Sequence, residues 1–402
     1  MNELPLAGVR IADFGWIFAV PHTTSWLGAL GADVIRIESP KRPDLVRFLG
    51  ATDGTPGINR SGLFHSINFS KRSIALDLTT RGGAEVARRL VARSDIVFEN
   101  FGAGVMTRFG LNYDNLRAVK PDIIMMSGTP LGQTGPLAGA IGYGPNSLGF
   151  SGISHLTGYP GGEPCGIGGT WPDFVVGVVM VMGALAALHY RDRTGEGQYI
   201  DLSIAEMVTG MLPEAMMDFF LNGREHGRIG NRDPDLAPHG AFPAAGDDRW
   251  LAIVTVSDAE FASLCEVLGA PAMASEARFG TMAARLENVD ALEREIGALT
   301  RQFDRDQLVA LLRARGLAAG PMYNTAEIMA DPAMVESGMN VELDHKEVGR
   351  RLIPTLPVTF SGFKPNYYGG PAIGEHTEEV LTGLLGYSSE EIARLRIEGG
   401  VL

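Results

Sequence analysis

Val9-Arg10-Ile11-Ala12-Asp13-Phe14-Gly15-Trp16-Ile17-Phe18-Ala19-Val20-Pro21-His22-Thr23-Thr24-Ser25-Trp26-Leu27-Gly28-Ala29-Leu30-Gly31-Ala32-Asp33-Val34-Ile35-Arg36-Ile37-Glu38 is the stretch that decides the fold. Val9–Asp13 and Asp33–Glu38 are short apolar runs rich in β-branched residues, and Thr23–Leu30 between them has helical spacing, so the stretch reads as a βαβ unit. Ser73–Leu76, Asp95–Phe98 and Ile123–Met126 are further short apolar strands, with helical patterns at Gly82–Arg93 and Tyr113–Val119. Strands alternating with helices predict a Rossmann-like parallel sheet covered on both faces. Ligands on such sheets lie on the loops that leave the carboxyl ends of the strands. Those loops are residues 15–21, 77–80, 99–104 and 127–136. The first of them, Phe14 to Pro21, has no Gly-x-Gly-x-x-Gly pattern, which removes the main support for a dinucleotide-dependent dehydrogenase.

Downstream, the most apolar run of the chain, Phe174 to Leu188, predicts a buried core helix; it is shorter than the ~20 residues of a membrane span. A turn at Gly195–Gln198, a strand at Tyr199–Leu202 and a Met-rich helix at Ala205–Asn222 follow. Residues 222–240 read as a polar linker. A strand at Trp250–Val254 and helices at Phe261–Leu268, Val289–Thr300 and Arg305–Arg315 then form a smaller α+β block. A strand at Pro357–Phe360 and helices at Glu375–Leu385 and Ser389–Arg396 close the chain. The domain expectation is residues 1–222 as the amino-terminal part of a large α/β domain, 228–330 as a small domain, and 335–402 returning to the large one.

The 402 residues carry a formal net charge of −13, which argues against nucleic-acid and anionic-membrane partners. The charge is uneven: residues 1–120 hold 15 Lys+Arg and 11 Asp+Glu. Two cysteines and an N-terminus without a basic, apolar leader predict a cytoplasmic protein. The eight histidines are scattered, so no metal site is expected. Gly-x-Ser-x-Gly and P-loop patterns are absent, and Cys165 and Cys265 read as packing residues.

Asp173 stands after a glycine-laden loop (Gly161 to Thr170) and Trp171-Pro172, directly before the apolar run. A carboxylate at a helix start meets unpaired backbone N–H groups and the positive end of the helix dipole. That setting favours the ionised form and suits either an N-cap or a nucleophile.

Six further blocks carry a resemblance. Gly31 to Glu38, Lys71 to Leu78, Glu99-Asn100-Phe101-Gly102-Ala103-Gly104, Gly132 to Pro136, Arg193 to Gln198 and Gly374 to Thr377 resemble, in order, the family III coenzyme A transferases. This is the CaiB/BaiF family, which includes formyl-CoA, carnitine and benzylsuccinate CoA-transferases. The resemblance implies that Asp173 is the catalytic aspartate. Its carboxylate would attack the thioester carbonyl of a donor, giving a mixed anhydride and CoA thiolate. The thiolate then forms an aspartyl-CoA thioester, and the acceptor acid takes CoA through a second anhydride. The resemblance also implies that coenzyme A thioester is a substrate, with no tightly bound cofactor. Phe18 and Ala19 would lie near the thioester. Leu76, Asn100, Phe101, Gly102, Arg108 and Tyr143 would contact the remainder of CoA. Lys71 and Arg72 are candidates for the same ligand or for pairing with carboxylates at the strand edge. An interlocked homodimer, or a hetero-oligomer with a related subunit, is implied as well.

Departures narrow the substrate. Phe18 replaces a polar glutamine of formyl-CoA transferase, its glycine tetrad is missing, and Ser39 replaces a basic residue, with Lys41 and Arg42 close by. Oxalate is therefore not the expected acceptor; a succinyl donor with an aromatic or alkyl-substituted dicarboxylate such as benzylsuccinate is. The rivals are an α-methylacyl-CoA racemase-like enzyme, whose histidine position is Tyr143 here, and a non-catalytic CoA-binding subunit.

Overall fold

The computed structural model describes residues 4–50 and 54–402. Six parallel strands form the main sheet: β1 (Arg10–Asp13), β2 (Asp33–Glu38), β3 (Arg72–Ala75), β4 (Ile96–Glu99), β5 (Ile124–Thr129) and β6 (Tyr199–Ser203). Their spatial order is β3-β2-β1-β4-β5-β6. The chain thus winds outward from β1 one way and then, from β4, the other way. The carboxyl ends of β1 and β4 flank the switch point, where a crevice opens because successive crossovers leave in opposite directions. The α/β expectation holds, and a small antiparallel sheet accompanies each half of the fold.

Two apolar clusters sandwich the sheet. On one face Leu27, Val34, Ile96 and Ile124 pack with Val176, Met180 and Ala184 of the long helix Trp171–Thr194. On the other Ile35, Ile74 and Val97 meet Val86 and Leu90 of the helix Arg81–Val91 and Leu381 and Leu395 near the carboxyl end. Strands buried on both faces lack alternation: burial runs almost unbroken along β1, β2 and β4, and even Asp13, Arg36, Glu38 and Glu99 within them are buried.

The chain divides into two compact units. The first comprises Met1–Ser154, Gly166–Gly223 and Gly338–Leu402, and the second His155–Cys165 with Arg224–Ser337. The segment His155–Cys165 thus belongs to the second unit, although the sequence reading assigned it to the large domain. The second unit holds the antiparallel sheet β7 (His239–Pro243), β8 (Trp250–Val254) and β9 (Ala318–Met322). Phe242, Leu251, Phe261, Ile296 and Leu308 form its core.

Several expectations are corrected. The helix foreseen at Ala205–Asn222 is two, Ile204–Thr209 and Pro213–Asn222, because Pro213 cannot donate to the preceding turn and restarts the helix at its first position. The strand foreseen at Pro357–Phe360 is absent; a hairpin, β10 (Asn340–His345) and β11 (Gly349–Pro354), precedes it instead. The long helix is not buried all round. Val176, Gly177, Met180 and Ala184 are buried, whereas Val178 and Met182 are 52 % and 64 % exposed. Cys265 is buried, but Cys165 is exposed rather than packed.

Candidate active site

A cavity of about 740 Å³ opens over the carboxyl ends of β1 to β5, within the size range of small-molecule sites. Leu76, Asn100, Phe101, Gly102, Arg108 and Tyr143 all line it. Trp16, Ile17, Ser39, Lys41 and Arg42 line it too; Trp16 and Ile17 belong to the 15–21 loop picked out from sequence, and Ser39, Lys41 and Arg42 were weighed there as well.

The loop after β1 forms one wall, and side chains hold its backbone. Gly15 N–H donates to Asp13 at 2.7 Å, Trp16 N–H to Asn100 at 2.8 Å, and Ile17 N–H to Asp44 at 3.0 Å. Three consecutive amides are therefore spent inside the protein, and none is left to cradle a pyrophosphate there. This explains physically why the glycine fingerprint is missing. Asn100 returns a hydrogen bond to the Trp16 carbonyl at 2.7 Å, clamping the loop from both sides. Ile17 is held at φ 65°, a costly conformation for a β-branched residue. Such strain persists only where the surroundings impose it, and here Asp44 does.

Beneath the wall lie three cations and three carboxylates. Arg36 pairs with Asp44 at 2.6 Å and Glu38 at 3.2 Å; Arg47 grips Glu38 through two nitrogens at 2.6 and 2.8 Å and lies 3.6 Å over the Phe64 ring. Burial would push the Glu38 carboxyl up, yet the two guanidinium groups hold it at about 2. Lys71 donates to Asp13 at 2.9 Å, the Pro21 carbonyl at 2.8 Å and Asn68 at 3.0 Å. Burial lowers its pKa to about 8 despite Asp13.

These contacts revise two candidates. Lys71 is wholly buried and its three donors all have acceptors, so it braces the loop rather than facing a ligand. Arg72 clasps Asp33 at 2.6–3.0 Å and Glu379 at 2.8 Å. Asp33 begins β2, at the end of the sheet opposite the cavity. Part of the basic excess in residues 1–120 is therefore internal ion pairing. At the cavity, the cations are Lys41, which pairs with Asp77 at 2.9 Å, Arg42, 5.4 Å over Trp16, and Arg108. Among the described residues no carboxylate pairs with Arg42 or Arg108, which leaves both for an anionic ligand.

Asp173 adjoins one end of this cavity. Tyr143 forms its wall, and the next residue, Gly144, abuts the carboxylate: a Cβ there would lie 3.1 Å from Asp173 Oδ2 and only 1.8 Å from the Gly169 carbonyl oxygen. Only glycine allows that approach. Phe18, beside Ile17 of the cavity wall, packs 5.9 Å from Phe174. Ala19 as a ligand contact is not favoured, since it is buried in the core at the start of its helix.

The helix begins at Trp171 with Thr170 as its N-cap; the Thr170 side chain makes no capping hydrogen bond, and Asp173 stands in the first turn. Burial drives its carboxyl up to about 7, against the lowering by its own backbone N–H. The sequence reading foresaw a dipole-favoured, fully ionised group; desolvation outweighs the helix end. Among the described residues, the N–H groups of Gly166 to Thr170 have no protein acceptor and remain available as donors. A second buried carboxyl, Glu99, not singled out from sequence, accepts from Phe101 N at 2.7 Å and Gln133 at 3.2 Å, and burial raises it to about 7.

The chain matches the model of CoA-transferase family III over residues 6–377. It is 32 % identical to a succinyl-CoA–D-citramalate CoA-transferase of Chloroflexus aurantiacus, covering 98 % of this chain and 97 % of that one. It is 33 % identical to a succinate–glutarate CoA-transferase of Agrobacterium fabrum, over 94 % and 96 % of the two chains. The fold superposes on the crystal structure of a CAIB/BAIF family protein from Brucella suis with a TM-score of 0.88 and 34 % identity, covering 95 % of this chain and 100 % of that one. Sequence, fold and relatives agree that this chain belongs to CoA-transferase family III.

Proposed function

We propose that this CoA-transferase moves CoA from succinyl-CoA to a free dicarboxylic acid through covalent intermediates on Asp173. The observation that carries this reading is the Asp173 carboxylate, desolvated and unpaired beside the end of a cavity large enough for a thioester, with open backbone donors next to it. A desolvated carboxylate without a counter-cation is a stronger nucleophile than a hydrated one, and the scarcity of water protects an anhydride from hydrolysis.

The steps balance without any other reagent. The ionised Asp173 adds to the succinyl carbonyl, and the tetrahedral oxyanion accepts from N–H groups of the 166–170 loop. Collapse expels CoA thiolate and leaves the succinyl-aspartyl anhydride. The thiolate adds to the aspartyl carbonyl, releasing succinate and forming the aspartyl-CoA thioester. The acceptor carboxylate displaces thiolate in turn, and thiolate then attacks the acceptor carbonyl, regenerating the Asp173 carboxylate. Lys41, Arg42 and Arg108 would hold the CoA phosphates, with guanidinium groups suited to two-point contacts. Phe18 and Phe174 offer apolar surface to an alkyl or aryl substituent, as benzylsuccinate would bring. A racemase would need a proton shuttle where Tyr143 stands, 57 % exposed, and a phenol is a poor shuttle near neutral pH.

An interlocked homodimer, or an assembly with a related subunit, is proposed to cover the exposed apolar side chains of the first unit, among them Val178, Met182, Phe220 and Leu221. Light scattering on the purified chain tests this, and a monomer at micromolar concentration refutes it. The function is tested by incubating the chain with succinyl-CoA and a panel of free acids: citramalate, glutarate, malate, benzylsuccinate, oxalate and butyrate. Mass spectrometry reads the new thioesters. Dicarboxylyl products without oxalyl-CoA are expected; transfer to butyrate alone would defeat the substrate assignment.

A further inference from the structure

His22 is 8 % exposed in the helix Ala19–Ala29. Its ring lies 4.5 Å from Trp26 and edge-on, at 4.8 Å, to Phe174, the residue after Asp173. Carbon Cδ2 fills a notch in the long helix: a Cβ on Gly177 would approach it to 3.0 Å. Positions 173 and 177 are four apart, so they share one helix face about 6 Å apart along the axis. The imidazole edge therefore lies one turn below Asp173 on the same stripe.

The two ring nitrogens differ. Nδ1 is sealed from solvent with no partner, so a proton there would gain no hydrogen bond. The neutral ring accordingly keeps its proton on Nε2. Nε2 is bonded to Cδ2 and shares the edge that meets the helix. Burial first, and then Lys71, keep the ring neutral, with a pKa of about 4. Only Nδ1 of this ring is sealed; among the described residues no protein acceptor takes the Nε2 proton, which leaves it for a ligand oxygen. The reaction leaves one carboxylate of a dicarboxylic acid untouched, and that charge needs a donor close to the reacting carbonyl.

Resting on the dicarboxylate reading above, we propose that His22 is a specificity-determining residue whose Nε2–H receives the non-reacting carboxylate of the acyl group. It thereby selects dicarboxylic over monocarboxylic acids. Bound carboxylate would also raise the affinity of the ring for a proton.

The test uses two unreactive thioethers, S-carboxypropyl-CoA and S-butyl-CoA, with imidazole nitrogen NMR on the full chain and His22→Gln to assign the signal. The carboxylate analogue is expected to raise the His22 pKa from about 4 to about 6 or above, and the butyl analogue to leave it unchanged. In turnover, His22→Phe should lose about tenfold or more in kcat/KM with succinyl-CoA while staying within about threefold of wild type with butyryl-CoA. His22→Gln, which keeps a neutral donor, should recover part of the loss. Equal responses to the two analogues, or equal losses with the two thioesters, overturn the assignment. If wild type prefers dicarboxylates and the His22 signal is flat, the role of His22 fails alone; if wild type shows no such preference, the dicarboxylate reading fails first and this inference with it.

Discussion

Replacing Asp173 by its neutral isostere should stabilise the protein while abolishing transfer. Burial raises the carboxyl from 3.8 to about 7, roughly three pH units, and each unit is worth about 1.4 kcal/mol. The folded state therefore resists ionising this group by about 4 kcal/mol, and by about half that if water reaches its open side. The sign follows from linkage. Below the unfolded value near 3.8 both states keep the proton and there is no penalty. As pH climbs from 3.8 to about 7 the unfolded chain releases a proton that the folded chain retains, so stability falls; above 7 the loss is complete. Asp173→Asn carries no such penalty. Its advantage over wild type in urea unfolding should be small at pH 4.5, grow to about 2–4 kcal/mol at pH 7.5 and then stay level. A variant less stable than wild type at pH 7.5 would mean that the helix start stabilises the charge, and would refute the argument from desolvation. The same shift predicts that single-turnover rates rise with pH through about 7 as the nucleophile ionises.

Three further outcomes follow from the site geometry. Gly144→Ala places a methyl 1.8 Å from the Gly169 carbonyl; the loop must move, and kcat should fall about a hundredfold while CoA binding by calorimetry is retained. Arg108→Gln should raise KM for the thioester about tenfold with little change in kcat, and flatten the salt dependence of KM. Lys71→Met leaves Asp13 buried without its cation and should cost about 3–5 kcal/mol in unfolding experiments, a loss of folding rather than of ligand affinity.

The strand skeleton was legible because its strands carry short clusters of aliphatic and β-branched residues between turn signals. Asp33–Glu38, Trp250–Val254 and the helix Val289–Thr300 fall where the pattern put them. The break at Pro213 was also written in the chain, but the Met-rich periodicity on both sides masked it. The β10–β11 hairpin was missed although Val341, Leu343 and His345 alternate with polar residues and Gly349, at φ 67°, closes the turn, because Lys346-Glu347-Val348 ahead of that glycine carry no turn signal of their own. Side-chain roles were harder to read. Lys71 is spent on Asp13, 58 positions away, and Arg72 on Asp33, 39 away, and nothing local to either cation reveals its partner. Asp173 shows the same limit: its position at a helix start is visible in sequence, whereas the residues that dry it, and the glycine that admits it, come from distant segments.

The central claim is that the Asp173 carboxylate becomes covalently acylated during transfer. Hydroxylamine added to the chain turning over succinyl-CoA and an acceptor acid intercepts such an adduct as a hydroxamate, and peptide mass spectrometry locates it. The account predicts a thioester-dependent hydroxamate on Asp173 that is lost in Asp173→Asn. A label on another carboxylate, or sustained turnover with Asp173 never modified, would contradict it.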